Sequence, residues 1–173
     1  MLEVIKKRRA CRSFDIDKEV EDSKINEIVN AGLLAPSGMN RQTPVIIVIK
    51  DRETRDRLAK LNCELGPFNK NIDSFYGAPV ILLVIAHKDG LALHDGGATI
   101  ENMLLEATNQ GLCSCWIHRA EEELKSDEGK EILSFTGLNL DDYIGIGHVI
   151  IGYPKGEFMP AEKIIKPGRV FVK

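Results

Sequence analysis

Arg8-Arg9-Ala10-Cys11-Arg12-Ser13-Phe14, read together with Ala35-Pro36-Ser37-Gly38-Met39-Asn40-Arg41-Gln42, organises this chain. The first stretch puts three guanidinium groups within five residues, directly after a short apolar-periodic run, Leu2 and Ile5. The cations therefore gather where a helix gives way to extended chain. Each arginine presents a rigid fork of donors suited to phosphate, and a charge-assisted bond of that kind is worth about 1.5 to 3 kcal/mol. Lys6-Lys7-Arg8-Arg9 also reads as an ordinary solvated helix end, so the cluster alone leaves both readings open. In the second stretch a helical pattern (Ile25, Ile28, Val29, Gly32, Leu33) stops at Pro36 and opens into small and amide residues. Gly38 lets backbone come close to a flat polar molecule, while Ser37 and Asn40 supply hydroxyl and amide groups.

With 173 residues, 43% of them hydrophobic, the chain suits one domain, 1–173, with a substantial core. A net charge of −3 and a pI near 5.8, with acids mixed among the cations, argue against general nucleic-acid binding. The longest apolar run, Ala78 to Ala86, is far below the roughly 20 residues of a membrane span. No charged-then-apolar leader pattern opens the sequence, so a cytoplasmic protein that binds no membrane is expected. Four cysteines are too few and too irregularly placed for a disulfide scaffold. Cys113 and Cys115 share one face of a strand, and reduced thiols are expected.

In chain order, Asp15 to Asp22 is a charged connector and Ser23 the expected N-cap of a helix ending near Ala35. Pro44 to Ile49 reads as a strand buried on both faces and paired with Val80 to Ile85. Arg52 to Leu61 has helical periodicity. Asn62 to Gly77 reads as a loop or broken helix, either a functional lid or hydrophobic filler. Gly96 to Gln110 should be a helix capped by Asp95, with Ile100, Met103, Leu104 and Ala107 on one face and a stop at Gly111. Leu105 lies beside that stripe, and a helix apolar beyond one stripe is usually buried on more than one side. Leu112 to His118 has strand composition and holds the sole tryptophan. Ser126 to Leu133 should be a short helix capped by Ser126, broken at Gly137-Leu138-Asn139. Tyr143 to Tyr153 reads as a long strand; a strand surrounds Gly145 and Gly147, so they are no dinucleotide fingerprint. Arg169 to Lys173 reads as a final short strand.

Arg8 to Phe14, Ala35 to Pro44 and Gly152-Tyr153-Pro154 together resemble the nitroreductase family of flavin enzymes. That family typically carries Arg-Arg-Ser-x-Arg-x-Phe near its start and a helix ending in Ala-Pro-Ser-x-x-Asn-x-Gln-Pro. Ala10 stands where the family has serine, leaving only backbone groups there. The resemblance implies an α+β fold, with a mixed, largely antiparallel central sheet flanked by helices, in a homodimer with an exchanged C-terminal strand. It also implies an FMN cofactor, NAD(P)H as electron donor, and two-step hydride transfer through flavin N5 to a nitroaromatic, quinone or other small acceptor. Carried over by position, Arg8, Arg9, the Ala10 backbone and Arg12 would hold the phosphate and ribityl chain. Pro36, Ser37, Gly38, Met39 and Asn40 of the other chain would lie against the ring, and Asn71 would meet the pyrimidine edge. The strand end, Cys115, Trp116, Ile117, His118 and Arg119, would present backbone amides to N5 and O4. Relatives often place a Pro-Arg-Lys phosphate ligand in the tail; this chain has Ile164-Ile165-Lys166-Pro167, so that arginine is replaced by Lys166, by Arg169 or by no residue. No acid, base or nucleophile stands out and the histidines are scattered, as suits an enzyme whose cofactor carries the chemistry. Cys113, Cys115 and His118 could in principle hold a metal, though a Cys-x-Cys strand is more often buried and inert. A non-catalytic FMN-binding or storage module, or a dedicated flavin dehydrogenase or dehalogenase, would share the same motifs.

Overall fold

Val80-Ile81-Leu82-Leu83-Val84-Ile85-Ala86 is apolar on both faces, and in the computed structural model, which describes residues 1–67 and 72–173, it forms an interior strand. This strand, β2 (Val80–His87), pairs on one side with β1 (Pro44–Ile49) and on the other with β4 (Tyr143–Gly152), and β3 (Cys113–Ile117) completes the order β1-β2-β4-β3. All three ladders are antiparallel. Side chains alternate across a strand, so Ile81, Leu83 and Ile85 enter one core with α3 (Arg52–Glu64), α5 (Ala120–Lys125) and α6 (Asp127–Ile132). Leu82, Val84 and Ala86 enter the other with α2 (Asp22–Leu33) and α4 (Ala92–Asn109). The expected strand pairing of Pro44–Ile49 with Val80–Ile85 is present. The parallel component of the expected mixed sheet shrinks to one isolated bridge, Ala10 to Ser114.

That bridge places the arginine cluster. After α1 (Glu3–Lys7) the chain runs beside β3, with Cys11 N–H donating to the Ser114 carbonyl at 2.9 Å. It continues past Tyr76 and Tyr153, whose carbonyls accept from Phe14 N–H at 3.0 Å and Asp15 N–H at 2.9 Å.

Several expectations are corrected. The β1 strand is not buried on both faces: it lies at the sheet edge and Val48 is exposed. Helix α2 starts at Asp22 with Glu21 as its cap, so Ser23 lies within the first turn, and it ends at Leu33. Helix α4 starts at Ala92, one turn before Asp95, because the Asp95 carboxylate is spent on another segment, the Gly38 N–H. Its end is as expected: Gly111 has φ 74°, and Leu112 N–H returns to the Ala107 carbonyl. Ser126 caps α6 through Gly129 N–H at 3.0 Å, but α5, immediately before it, had no sequence signal. Within Asn62 to Gly77, Asn62 to Glu64 close α3 and Phe75 is fully buried core. Arg169 to Lys173 form no strand within the chain.

Candidate active site

Arg12 and the end of β3 meet in one cleft of about 420 Å³, lined by Cys115, Trp116, Ile117, His118 and Arg119 together with Asn62, Ser74 and Tyr76. Arg12 gets there because its neighbours Cys11 and Phe14 are fastened to β3 and to Tyr76. Tyr76 is held by Asp73, whose carboxylate accepts from Phe75 N–H at 2.9 Å, from Gly77 N–H at 2.7 Å and from the buried Arg55 guanidinium at 2.5 Å. Trp116 lies over Gly147, where any added Cβ would strike the indole nitrogen. At the cleft wall, Asn62 donates to the His118 carbonyl at 2.8 Å and to Glu123 Oε1 at 2.5 Å, and His148 Nε2 lies 2.8 Å from Glu123 Oε2.

The other predicted residues lie apart from this cleft. Arg8 ends α1 and faces Glu101 of α4 at 3.7 Å. Arg9 turns away, donating to the carbonyls of Lys6, Arg8 and Ala161 and lining a separate cavity with Lys6 and Lys7. Pro36 and Ser37 line a small hollow of about 190 Å³ with Gln42 and Thr99. Gly38, Met39 and Asn40 form a 3₁₀ turn whose Gly38 N–H donates to both Asp95 oxygens at 3.0 and 3.2 Å. A Cβ at Gly38 would meet the tip of the Leu91 side chain, which would have to move aside. Lys166 and Arg169 are exposed in the tail and line neither site. Asn71 lies outside the described residues.

Backbone strain marks the same places. Among the described residues, the non-glycine residues with positive φ are Met39, Asn40, Gln42, Tyr76 and Arg119. Three sit in the Ser37–Gln42 turn and two in the cleft. Such conformations cost on the order of 1 to 3 kcal/mol each and persist where surrounding structure enforces them. Among the described residues, buried side-chain atoms without a hydrogen bond include Thr43 Oγ1 next to the turn and Asn62 Oδ1 at the cleft.

Among the described residues no disulfide joins the cysteines. Burial pushes the Cys113 thiol up to about 12, with Cys11 beside it adding to the rise, and burial also raises Cys115. Both are therefore protonated and weakly nucleophilic near neutral pH. Among the described residues no three His, Cys, Asp or Glu side chains converge as a metal-ligating group.

A four-stranded antiparallel sheet between two helical layers, with one cleft at the end of β3 and a strained turn on α4, defines an α+β protein. The chain belongs to the nitroreductase family, whose pattern it matches over residues 5–153. It is similar to the crystal structure of a nitroreductase with bound FMN from Bacteroides fragilis, at 27% identity and a TM-score of 0.87, covering 98% of this chain and 96% of that one. A protein provisionally named NADH dehydrogenase/NAD(P)H nitroreductase from Archaeoglobus fulgidus is 28% identical over 174 residues, 98% of this chain and 95% of the relative. A structure provisionally named NADH oxidase from Clostridium acetobutylicum is 27% identical with a TM-score of 0.72, each chain covered to 98%. Sequence reasoning had passed over Asn62, Tyr76, Glu123 and His148. For Asn62 one signal was available, since it falls on the apolar face of α3 beside Leu58 and Leu61.

Proposed function

We propose that this chain binds FMN and works as an NAD(P)H-dependent oxidoreductase on a small acceptor, with its site completed by a second copy of the chain. The observation that carries the reading is the convergence of Arg12, left-handed Tyr76 and Arg119, and the β3 end in one cleft, within a fold matching an FMN-bound nitroreductase at a TM-score of 0.87. The residues present fit a flavin mononucleotide. Arg12 supplies a cation inside the cleft, Arg8 would supply a second from outside it, and the Asn62 amide oxygen is buried without a partner at the cleft wall. The cleft is lined partly by apolar Ile72 and Trp116, which suits a flat ring.

When bound, FMN would supply two-electron chemistry, accepting hydride from NAD(P)H and releasing electrons to the acceptor. The chain's own work is binding and orientation. Arg8 must exchange Glu101 for phosphate, and Arg12 presents its guanidinium from backbone fixed at both ends. Segment Trp116 to Arg119 offers peptide groups at the cleft. The Pro36 to Asn40 turn, outside that cleft, meets a ring only if a second chain brings it there.

The test is to purify the protein, release any bound flavin and identify it. We expect a yellow protein that yields FMN and not FAD. A colourless protein that also fails to take up added FMN would overturn the reading.

A further inference from the structure

We infer that Asn62, Glu123 and His148 form a buried positioning network that sets the geometry of the cleft floor, Ile117 to Arg119. The inference rests on the reading that this cleft receives the flavin. All three side chains are wholly buried, and each comes from a different element: Asn62 from α3, Glu123 from α5 and His148 from β4. The Asn62 amide divides its donors between the His118 carbonyl, at 2.8 Å, and Glu123 Oε1, at 2.5 Å. The second carboxylate oxygen meets His148 Nε2 at 2.8 Å, and Phe75 covers the imidazole at a centroid distance of 5.2 Å.

A carboxylate and an imidazole with no exposure are a costly way to fill a core, and apolar side chains of similar size often stabilise a fold as well or better. What this arrangement supplies is direction. The peptide joining His118 to Arg119 is planar and trans, so its carbonyl and its N–H point opposite ways. With the carbonyl captured by Asn62, the Arg119 N–H is turned to the side away from the network, at a residue already held at φ 77°. The capture thereby fixes both the strained turn and the facing of the peptide group that the cleft presents. Asn62, Glu123 and His148 act through that segment and are positioning residues.

The test uses three proteins: Asn62→Ala, Glu123→Gln, and the combined apolar replacement Asn62→Leu, Glu123→Met, His148→Phe. Two measurements are made on FMN-loaded protein, the midpoint potential of the bound flavin and its reduction rate at saturating NADH. A third, acrylamide quenching of Trp116, is made without flavin. Trp116 is the sole tryptophan and directly precedes the segment. We expect Asn62→Ala and the apolar protein to lose tenfold or more in reduction rate, with a shifted potential and altered quenching. Glu123→Gln should stay near wild type, because its amide oxygen still accepts from Asn62 and its NH₂ can donate to the imidazole. A folded Asn62→Ala or apolar protein with wild-type rate, potential and quenching overturns the proposal, and so does a Glu123→Gln protein that loses all three. A core role alone would lower the melting temperature without moving the potential. Should Asn62→Ala fail to fold, the apolar protein decides. Should wild type take up no FMN, the flavin reading fails separately, and Trp116 quenching still decides whether the network sets the segment.

Discussion

Arg12 reaches the cleft through backbone bonds, whereas Arg8 reaches its position by ending α1 beside Glu101. Replacing either by alanine should weaken FMN binding by about 1.5 to 3 kcal/mol, roughly tenfold to a hundredfold, in a fluorescence titration. Unchanged affinity in both variants would return the cluster to a solvated charge run. Arg9 donates to three backbone carbonyls and faces another cavity, so Arg9→Ala should change FMN affinity far less. The thiol of Cys113, at about 12, predicts alkylation by iodoacetamide at pH 8. That reaction, read by mass spectrometry, should be much slower than at a free cysteine. Reaction at the free-cysteine rate would contradict the burial. The place of Arg12 in the cleft was legible in part, because its residue type announces its chemistry. The Asn62–Glu123–His148 network was not. Its members lie in three elements, and only the packing of α3 and α5 on β4 brings them together.

At the scale of elements, close approach decides more than propensity. A Cβ on Gly145 would strike the Ala120 backbone where α5 leaves β3, so Gly145→Ala should cost about 1 to 3 kcal/mol in denaturant unfolding. A neutral result would mean that α5 is not seated on β4. Tyr153 joins β4 to α2: its hydroxyl donates to Glu21 at 2.8 Å and accepts from Lys24 at 2.9 Å. Glu21 is held below the ordinary value of 4.5, first by its own backbone N–H and then by the Tyr153 hydroxyl. A depressed carboxylate stabilises the fold fully above its unfolded value and loses that contribution as pH falls through the folded one. Tyr153→Phe should therefore lower Tm at pH 7, with the gap to wild type narrowing once pH drops below that ordinary value. A constant gap would separate Glu21 from the tyrosine. Strand β2 and the end of α4 could be read directly, from an unbroken apolar run and from Gly111. The start of α4 could not, because Asp95 looks like a local cap and serves the distant Gly38 N–H instead. The edge position of β1 was hidden too, since Pro44 to Ile49 is apolar at every position and only the strand order exposes one side.

For the whole molecule, exposed apolar surface argues for a second chain. Leu2 and Ile5 on α1, Leu33 and Leu34 at the end of α2, and Val170, Phe171 and Val172 in the tail are all exposed. Leu2, Leu34 and Leu105 line one groove of about 600 Å³. We expect a homodimer that shares the tail between chains and buries more than roughly 2,000 Å² in total. In sedimentation at dilute concentration it should persist with its flavin, and a stable monomer retaining FMN would contradict both the exchanged tail and the two-chain site. The family could be read from the two N-terminal motifs, whose placement at separate cavities became visible only with the fold. The most direct test of the central claim is an anaerobic titration of the purified, FMN-loaded protein with NADH and NADPH, followed by visible absorbance. The account predicts that one or both bleach the oxidised flavin bands and that a quinone or nitroaromatic restores them. Bands that persist through an excess of both nucleotides would contradict it.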